Sequence, residues 1–307
     1  MSPEPGPEPG EETAQVRRLH TEADARNRDI HDLGEREHRY QNLVARLRRE
    51  ADVRDEKLAA LSLRLESAEH ELKDLRAIRD ALTPPELPTR PGLELAAAYL
   101  PAAAEKVSGD FYLVAEGPED STLLVIGDVV GHGLAAARRA AFVRTTFAAT
   151  APFSDDPCQL LSWANAALVE RADTSNKFVT AACVTYLPEH RLLRFAYAGH
   201  PPALSVFDDR EFVVPSQGPP LGIVADPAYV EGSVRAEGPT GVLLFTDGVT
   251  EARHGDELFG VEGVRAVLSE LEYPSPSDAI AVVRARVADF AYGTLTDDLC
   301  MLAARIV

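Results

Sequence analysis

Along the first quarter of the chain, the positions of a mostly apolar seam step by three and four without a break. Val16, Leu19, Ala23, Ile30, Leu33, Tyr40, Val44, Leu47, Ala51, Leu58, Leu61, Leu65, Ala68, Leu72, Leu75 and Leu82 fall on one seam, which Arg26, Glu37, Arg54 and Arg79 interrupt. Between these positions the chain is densely charged. So narrow a seam and so polar a remainder predict a two-chain coiled coil rather than a helix laid on a globular surface. Two chains side by side imply a symmetric homodimer. Ahead of the seam, Pro, Gly and Glu dominate and have little to bury, so an unordered tail is predicted over 1–13. Thr83-Pro84-Pro85 ends the helix. The organisation expected is a tail (1–13), a coiled-coil dimerisation and regulatory helix (14–83), a stiff Pro-rich linker (84–91) and a globular domain (92–307).

In that domain the pattern shifts to short apolar runs set apart by turn residues. Strands are predicted at Leu93–Leu100, Phe111–Ala115, Leu123–Ile126, Val179–Leu187, Leu192–Tyr197, Ala203–Phe207, Val242–Thr246 and Leu299–Ile306. Helices are predicted at Leu134–Thr150, Cys158–Glu170, 261–271 and 277–290. Hairpin-like spacing between 180 and 215 favours antiparallel pairing. The fold class that follows is α+β, a sandwich of two mainly antiparallel sheets flanked by helices and preceded by the long helix.

Charge narrows the partners. A formal net charge of -18 over 307 residues argues against nucleic acid or an anionic membrane as the main partner. Three widely separated cysteines, Cys158, Cys183 and Cys300, lack metal-ligand spacing and suggest reduced thiols. The N-terminus has no signal-peptide pattern, and no run approaches a membrane span. A soluble cytoplasmic protein is expected.

Four segments then share one design. Ser108-Gly109-Asp110 precedes Phe111-Tyr112; Gly127-Asp128-Val129 ends an apolar strand; Thr246-Asp247-Gly248 ends another; Thr296-Asp297-Asp298 leads into the last. Each sets an Asp at a strand terminus, so carboxylates can converge at one edge of the sheets. An oxygen-rich site without His or Cys suits Mg²⁺ or Mn²⁺. Two such ions activate water and clamp a phosphoryl group. Carboxylates crowded together without cations are costly, which favours metal here.

The ordered set SGDFY, GDVVGHGLAAA, YAGHPPAL, GPPLGI, LLFTDGVTEA, ELFG and LTDDLCML resembles the bacterial SpoIIE/RsbU branch of the PPM (PP2C-like) metal-dependent serine/threonine phosphatases. The resemblance covers about residues 90–307, with ALTPPELPTRPGLELAAAYLPA resembling the family's lead-in. It implies a PP2C-like β-sandwich with a dinuclear Mn²⁺ or Mg²⁺ centre that hydrolyses phosphoserine or phosphothreonine through metal-activated water. Carried over, Asp128 bridges both ions, the Val129 carbonyl supplies one oxygen, Asp247 and Asp297 complete the set, and Asp110 binds directly or through water. Asp128 and Asp247 are then the residues through which the water is activated, and Asp298 orients Asp297. The sequence departs from the family pattern at Ser108, Leu113 and Val130, where glycine, an acid and a small or polar residue are usual. His132 and His200 are read as turn residues and Glu251 as a structural acid. The implied substrate is a phosphorylated STAS-domain anti-sigma-factor antagonist in a partner-switching pathway, with an upstream activator acting through the coiled coil. Two alternatives are a catalytically silent scaffold of the same fold and a hydrolase of small phosphoesters.

Overall fold

The computed structural model describes residues 9–100, 108–171, 178–207, 210–293 and 297–307. Residues 1–8 of the expected tail, 101–107 of the lead-in and Leu295-Thr296 of the last acidic segment lie outside the described residues. The chain divides into two compact units, Met1–Leu75 and Arg76–Val307.

Helix α1 runs over Pro9–Leu82. It begins inside the stretch expected to stay unordered. Proline is tolerated in a first helical turn, where its missing N–H has no partner to lose. The large seam residues from Leu19 to Leu65 are exposed, from Val44 at 44% to Tyr40 at 68%. No helix among the described residues is long and apolar enough to cross a membrane.

The second unit is a sandwich. In chain order it contains β1 (Leu93–Leu100), β2 (Phe111–Glu116), β3 (Thr122–Val129), α2 (Gly133–Thr150), α3 (Pro157–Glu170), β4 (Val179–Leu187), β5 (Leu192–Ala198) and β6 (Leu204–Ser205). There follow β7 (Gly232–Arg235), β8 (Thr240–Phe245), α4 (Asp247–Thr250), β9 (Arg253–His254), β10 (Glu257–Leu258), α5 (Gly260–Ser269), α6 (Pro276–Phe290) and β11 (Leu299–Ile306). One sheet has the order β1-β11-β8-β6 and the other β2-β3-β4-β5-β7, with β9 and β10 forming a separate hairpin. The named strands pair antiparallel throughout.

Alternation along the strands divides the burial among three cores. Tyr112, Leu124, Ile126, Val184, Phe195, Leu244 and Leu302 meet between the sheets. Phe111, Leu113, Val125 and Cys183 face the opposite way and pack with Val143 and Phe147 of α2 and Leu161 of α3. Leu243, Phe245, Met301 and Ala303 pack with Val264 and Val267 of α5 and Val283 and Val287 of α6. Leu113, where the family pattern has an acid, is 5% exposed and belongs to the helix-facing layer. Its isobutyl group completes that layer instead of adding charge to the site.

Candidate metal centre

Each carboxylate of the candidate centre reaches the sandwich edge by a different local device. Asp128 lies within β3, one residue from its end, in register with Thr180 of β4. The strand therefore continues past the predicted Ile126, because Val129 is fully buried and extends the apolar run. Asp247 opens the single helical turn α4, where a strand end was expected. Asp110 precedes β2, and Asp297 and Asp298 precede β11.

Two close approaches bring these segments together. A Cβ on Gly109 would lie 2.8 Å from the Val129 carbonyl oxygen and 3.3 Å from that of Gly131. The Asp110 segment thus lies directly over the β3 exit, with the Val129 carbonyl beside it. A Cβ on Gly248 would fall 1.8 Å from the Asp298 carbonyl oxygen, so only glycine lets the Asp247 turn seat against the Asp297 segment.

Hydrogen bonds then aim the acids. Asp110 is 3% exposed, and its Oδ2 accepts from Thr246 Oγ1 at 2.7 Å. Thr246 is wholly buried; its hydroxyl accepts from the Cys300 N–H at 3.1 Å, and its own N–H donates to the Cys300 carbonyl at 3.0 Å. Ser108 Oγ accepts from the Asp110 N–H at 2.9 Å. The departure from glycine at 108 therefore supplies a side-chain turn under the acid. Asp298 Oδ2 accepts from the Gly109 N–H at 3.2 Å, and the Asp298 N–H donates to Asp297 Oδ1 at 2.8 Å. Asp297 is exposed and Asp298 partly buried. Asp298 thus ties two acidic segments together, while Asp297 faces solvent.

The electrostatics show that the carboxylates share one region. Burial and then the charge of Asp128 push Asp110 well above the usual carboxylate range. Burial and then Asp247, with Asp297 and Asp298 adding, raise Asp128 to about 7. Asp247 is raised by burial, then by Asp297 and Glu251. Like charges gathered this closely oppose one another's ionisation. Among the described residues no group of three or more His, Cys, Asp or Glu side chains is placed to hold a metal ion. The donors nevertheless fit Mg²⁺ or Mn²⁺. They are all oxygen, and Mg²⁺ retains several waters while taking only one or two carboxylates.

The remaining candidates have other surroundings. His132 is an exposed residue preceding α2 and makes no side-chain cap there. Glu251 is exposed; its N–H donates to the Asp247 carbonyl at 2.7 Å, closing the α4 turn. Val130 is 37% exposed beside the site. His200 is 2% exposed and contacts none of the acids directly. Its Nε2 bonds the Phe245 carbonyl at 3.0 Å and its Nδ1 meets Thr180 Oγ1 at 2.9 Å. A carbonyl only accepts, so Nε2 carries the proton and the threonine hydroxyl donates to Nδ1. Burial lowers His200 to about 4.

That shift has a signed consequence. The unfolded histidine takes a proton near pH 6.5 and the folded one only near 4, so stability falls as pH falls through this window. The expected slope from this group is about 1.4 kcal/mol per pH unit at its steepest. Urea unfolding of His200→Gln at pH 7, 6 and 5 is expected to show a pH dependence flatter than the parent by that amount. Parallel slopes for the two proteins would refute it.

Sequence reasoning left Thr246 and Ser108 without roles. Thr246 lay within the LLFTDG motif, but its partners Asp110 and Cys300 are 136 and 54 residues away.

Comparison with known proteins speaks to the family and the fold. The family model described as Stage II sporulation protein E (SpoIIE) matches residues 118–307. The phosphoserine phosphatase RsbU of Bacillus subtilis (strain 168) is 24% identical over 230 residues, covering 74% of this chain and 68% of RsbU. Among solved structures, the SiaA-PP2C domain of Pseudomonas aeruginosa superposes with a TM-score of 0.60 at 21% identity, covering 69% of this chain and 86% of that one. RsbX in complex with magnesium gives 0.54 at 14% identity, covering 72% and 99%. With a family match across most of its folded unit and a PP2C-like sandwich beneath its clustered acids, the chain belongs to the SpoIIE family, as a PP2C-like serine/threonine phosphatase of the RsbU type.

Proposed function

We propose that this chain is a Mn²⁺- or Mg²⁺-dependent phosphatase with two ions per site, acting on a phosphorylated STAS-domain anti-sigma-factor antagonist. One observation carries the reading. Carboxyls from four separate segments lie in one another's field at a single sandwich edge. On this reading Asp128 holds both ions, Asp110, Asp247, Asp297 and the Val129 carbonyl complete the donors, and Asp298 stays behind them. The ions, when bound, supply Lewis-acid polarisation of the phosphoryl group and a water of lowered pKa. The chain's own part is to place and aim charge. Thr246 orients the Asp110 carboxylate, and Asp298 holds the Asp110 and Asp297 segments in step. Magnesium in the RsbX complex supports the choice of cation, and RsbU, a phosphoserine phosphatase, supports the substrate class.

Regulation through the N-terminal helix, paired as a coiled coil in a homodimer and open to an upstream activator, belongs to the same proposal. Within the second unit, Arg144 of α2 donates from Nη1 to the Leu82 carbonyl at the end of α1, at 3.2 Å. Since α2 follows the Asp128 segment, a rotation of α2 would alter the acid cluster. The free thiols Cys158, Cys183 and Cys300 accord with a cytoplasmic setting.

The test is release of phosphate from a phosphorylated STAS-domain protein, with a phosphoserine peptide and p-nitrophenyl phosphate alongside. The expected outcome is turnover with Mn²⁺, none after chelation, and clear preference for the protein. Equal rates on all three would replace this reading with a small-phosphoester hydrolase. Binding of the STAS-domain protein without turnover at any Mn²⁺ concentration would replace it with a scaffold.

A further inference from the structure

The acids of the candidate centre come from two different sheets. Asp128 and Asp110 belong to the β2-β3-β4-β5-β7 sheet, whereas Asp247 and Asp297 flank β8 and β11 of the other. Sheets packed through apolar side chains resist separation but define their mutual offset weakly, because dispersion contacts are non-directional. A metal site tolerates little error in ligand placement. Some directional contact has to set the offset near the acids.

His200 has the required bonds. It is buried in the interior, and each ring nitrogen is committed to a different sheet: Nδ1 to the Thr180 hydroxyl on β4, Nε2 to the Phe245 carbonyl on β8. Thr180 is the register partner of Asp128. Phe245 ends β8 immediately before Thr246 and Asp247. The imidazole is a rigid ring, so the two bonds set a fixed span between the strand beside Asp128 and the strand leading to Asp247. The Thr246 hydroxyl makes a second tie between the sheets, at Asp110, from the same strand end.

We infer that His200 is a positioning residue for the metal centre, a cross-sheet strut that sets the separation of Asp128 from Asp247. The inference rests on the phosphatase reading above. It also gives the AGHPP segment a role beyond the turn expected from sequence.

The test compares wild type with Thr180→Val, Thr180→Ser and His200→Gln in the full-length protein. Mn²⁺ binding is measured by titration calorimetry, and the melting temperature is measured without cation. Thr180→Val keeps the strand-favouring branched shape and deletes only the hydroxyl that anchors the ring. Its Mn²⁺ Kd is expected to rise about tenfold, the lower end of the range for residues that orient ligands from behind. Thr180→Ser is expected to restore wild-type affinity, and His200→Gln to weaken binding at least as much as Thr180→Val. Folded variants that melt lower yet bind Mn²⁺ as tightly as wild type would reduce His200 to a core residue and overturn the inference alone. Wild-type protein that takes up no Mn²⁺ would instead overturn the phosphatase reading, and this inference with it. Should His200→Gln fail to fold, the Thr180 pair decides the question by itself.

Discussion

Asparagine in place of Asp128 is expected to abolish turnover and, in the same protein stripped of cations, to raise its melting temperature. The two effects have one origin. Asp128 is the carboxylate on which burial and the charges of Asp247, Asp297 and Asp298 converge, and they hold it near 7. Loss of the ligand proposed to hold both ions should reduce activity at least 100-fold, beyond what residues behind the ligands cost. Without cations, the ionised side chain is a liability. A rise from 3.8 to about 7 corresponds to at most about 4 kcal/mol, and partial solvent contact reduces it to about 2 kcal/mol. That is roughly 5 °C for a domain of this size. The sign follows from linkage. Folded Asp128 binds a proton more tightly than the unfolded residue, so the cost is present above pH 7 and fades as pH falls towards 4. The parent should therefore melt below Asp128→Asn at pH 8, with the gap narrowing as pH falls and closing only towards pH 4. His200 works in the opposite direction over an overlapping range, so variant and parent must be compared at each pH. A cation-free parent that outlasts the variant at pH 8 would show that the acids do not repel one another.

The second large effect is expected at the seam of α1. Leu58, Leu61 and Leu65 are 54%, 55% and 54% exposed in the single chain. Each leucine buried between two helices contributes about 1.5–3 kcal/mol, and a long polar helix has little else to hold it. Leu58→Glu with Leu65→Glu would set four carboxylates along the seam of a pair. The expected result is dissociation, read by light scattering as a fall from twice the 33.2 kDa chain mass to that mass itself. Loss of helical circular dichroism should accompany it, while the cation-free melting of the second unit stays unchanged. A parent that is monomeric at micromolar concentration would end the coiled-coil reading. A dimeric parent whose activity is indifferent to the double substitution would separate dimerisation from regulation.

What the sequence disclosed divides along a physical line. Periodicity reports local burial, so β1, β4, α3 and β11 were legible from alternation, cap residues and length. β7 was not: Gly-Ser-Val-Arg carries one apolar residue and pairs with β5 at the sheet edge. The β9–β10 hairpin is exposed and polar, with no buried face to leave a pattern. Asp110, Asp128, Asp247 and Asp297 could be found because turn glycines and strand ends are local features. The links among them were hidden, because Asp110–Thr246, Gly109–Asp298 and His200–Phe245 join residues far apart in the chain. A motif shows which acids are present, while their aim depends on tertiary hydrogen bonds.

The segment between α1 and β1 has a mechanical side. Arg144 holds the Leu82 carbonyl, Tyr112 Oη donates to the Pro85 carbonyl at 3.1 Å, and Arg90 is buried with bonds to Thr122, Glu116 and Ser121. Leu87 packs against the inter-sheet core between them. A tether secured at both ends and in the middle has no slack in which to dissipate twist. On the regulation proposed above, this tether is the keyed shaft through which a twist at Leu82 would reach α2, and lengthening it with glycines would turn the shaft into a swivel.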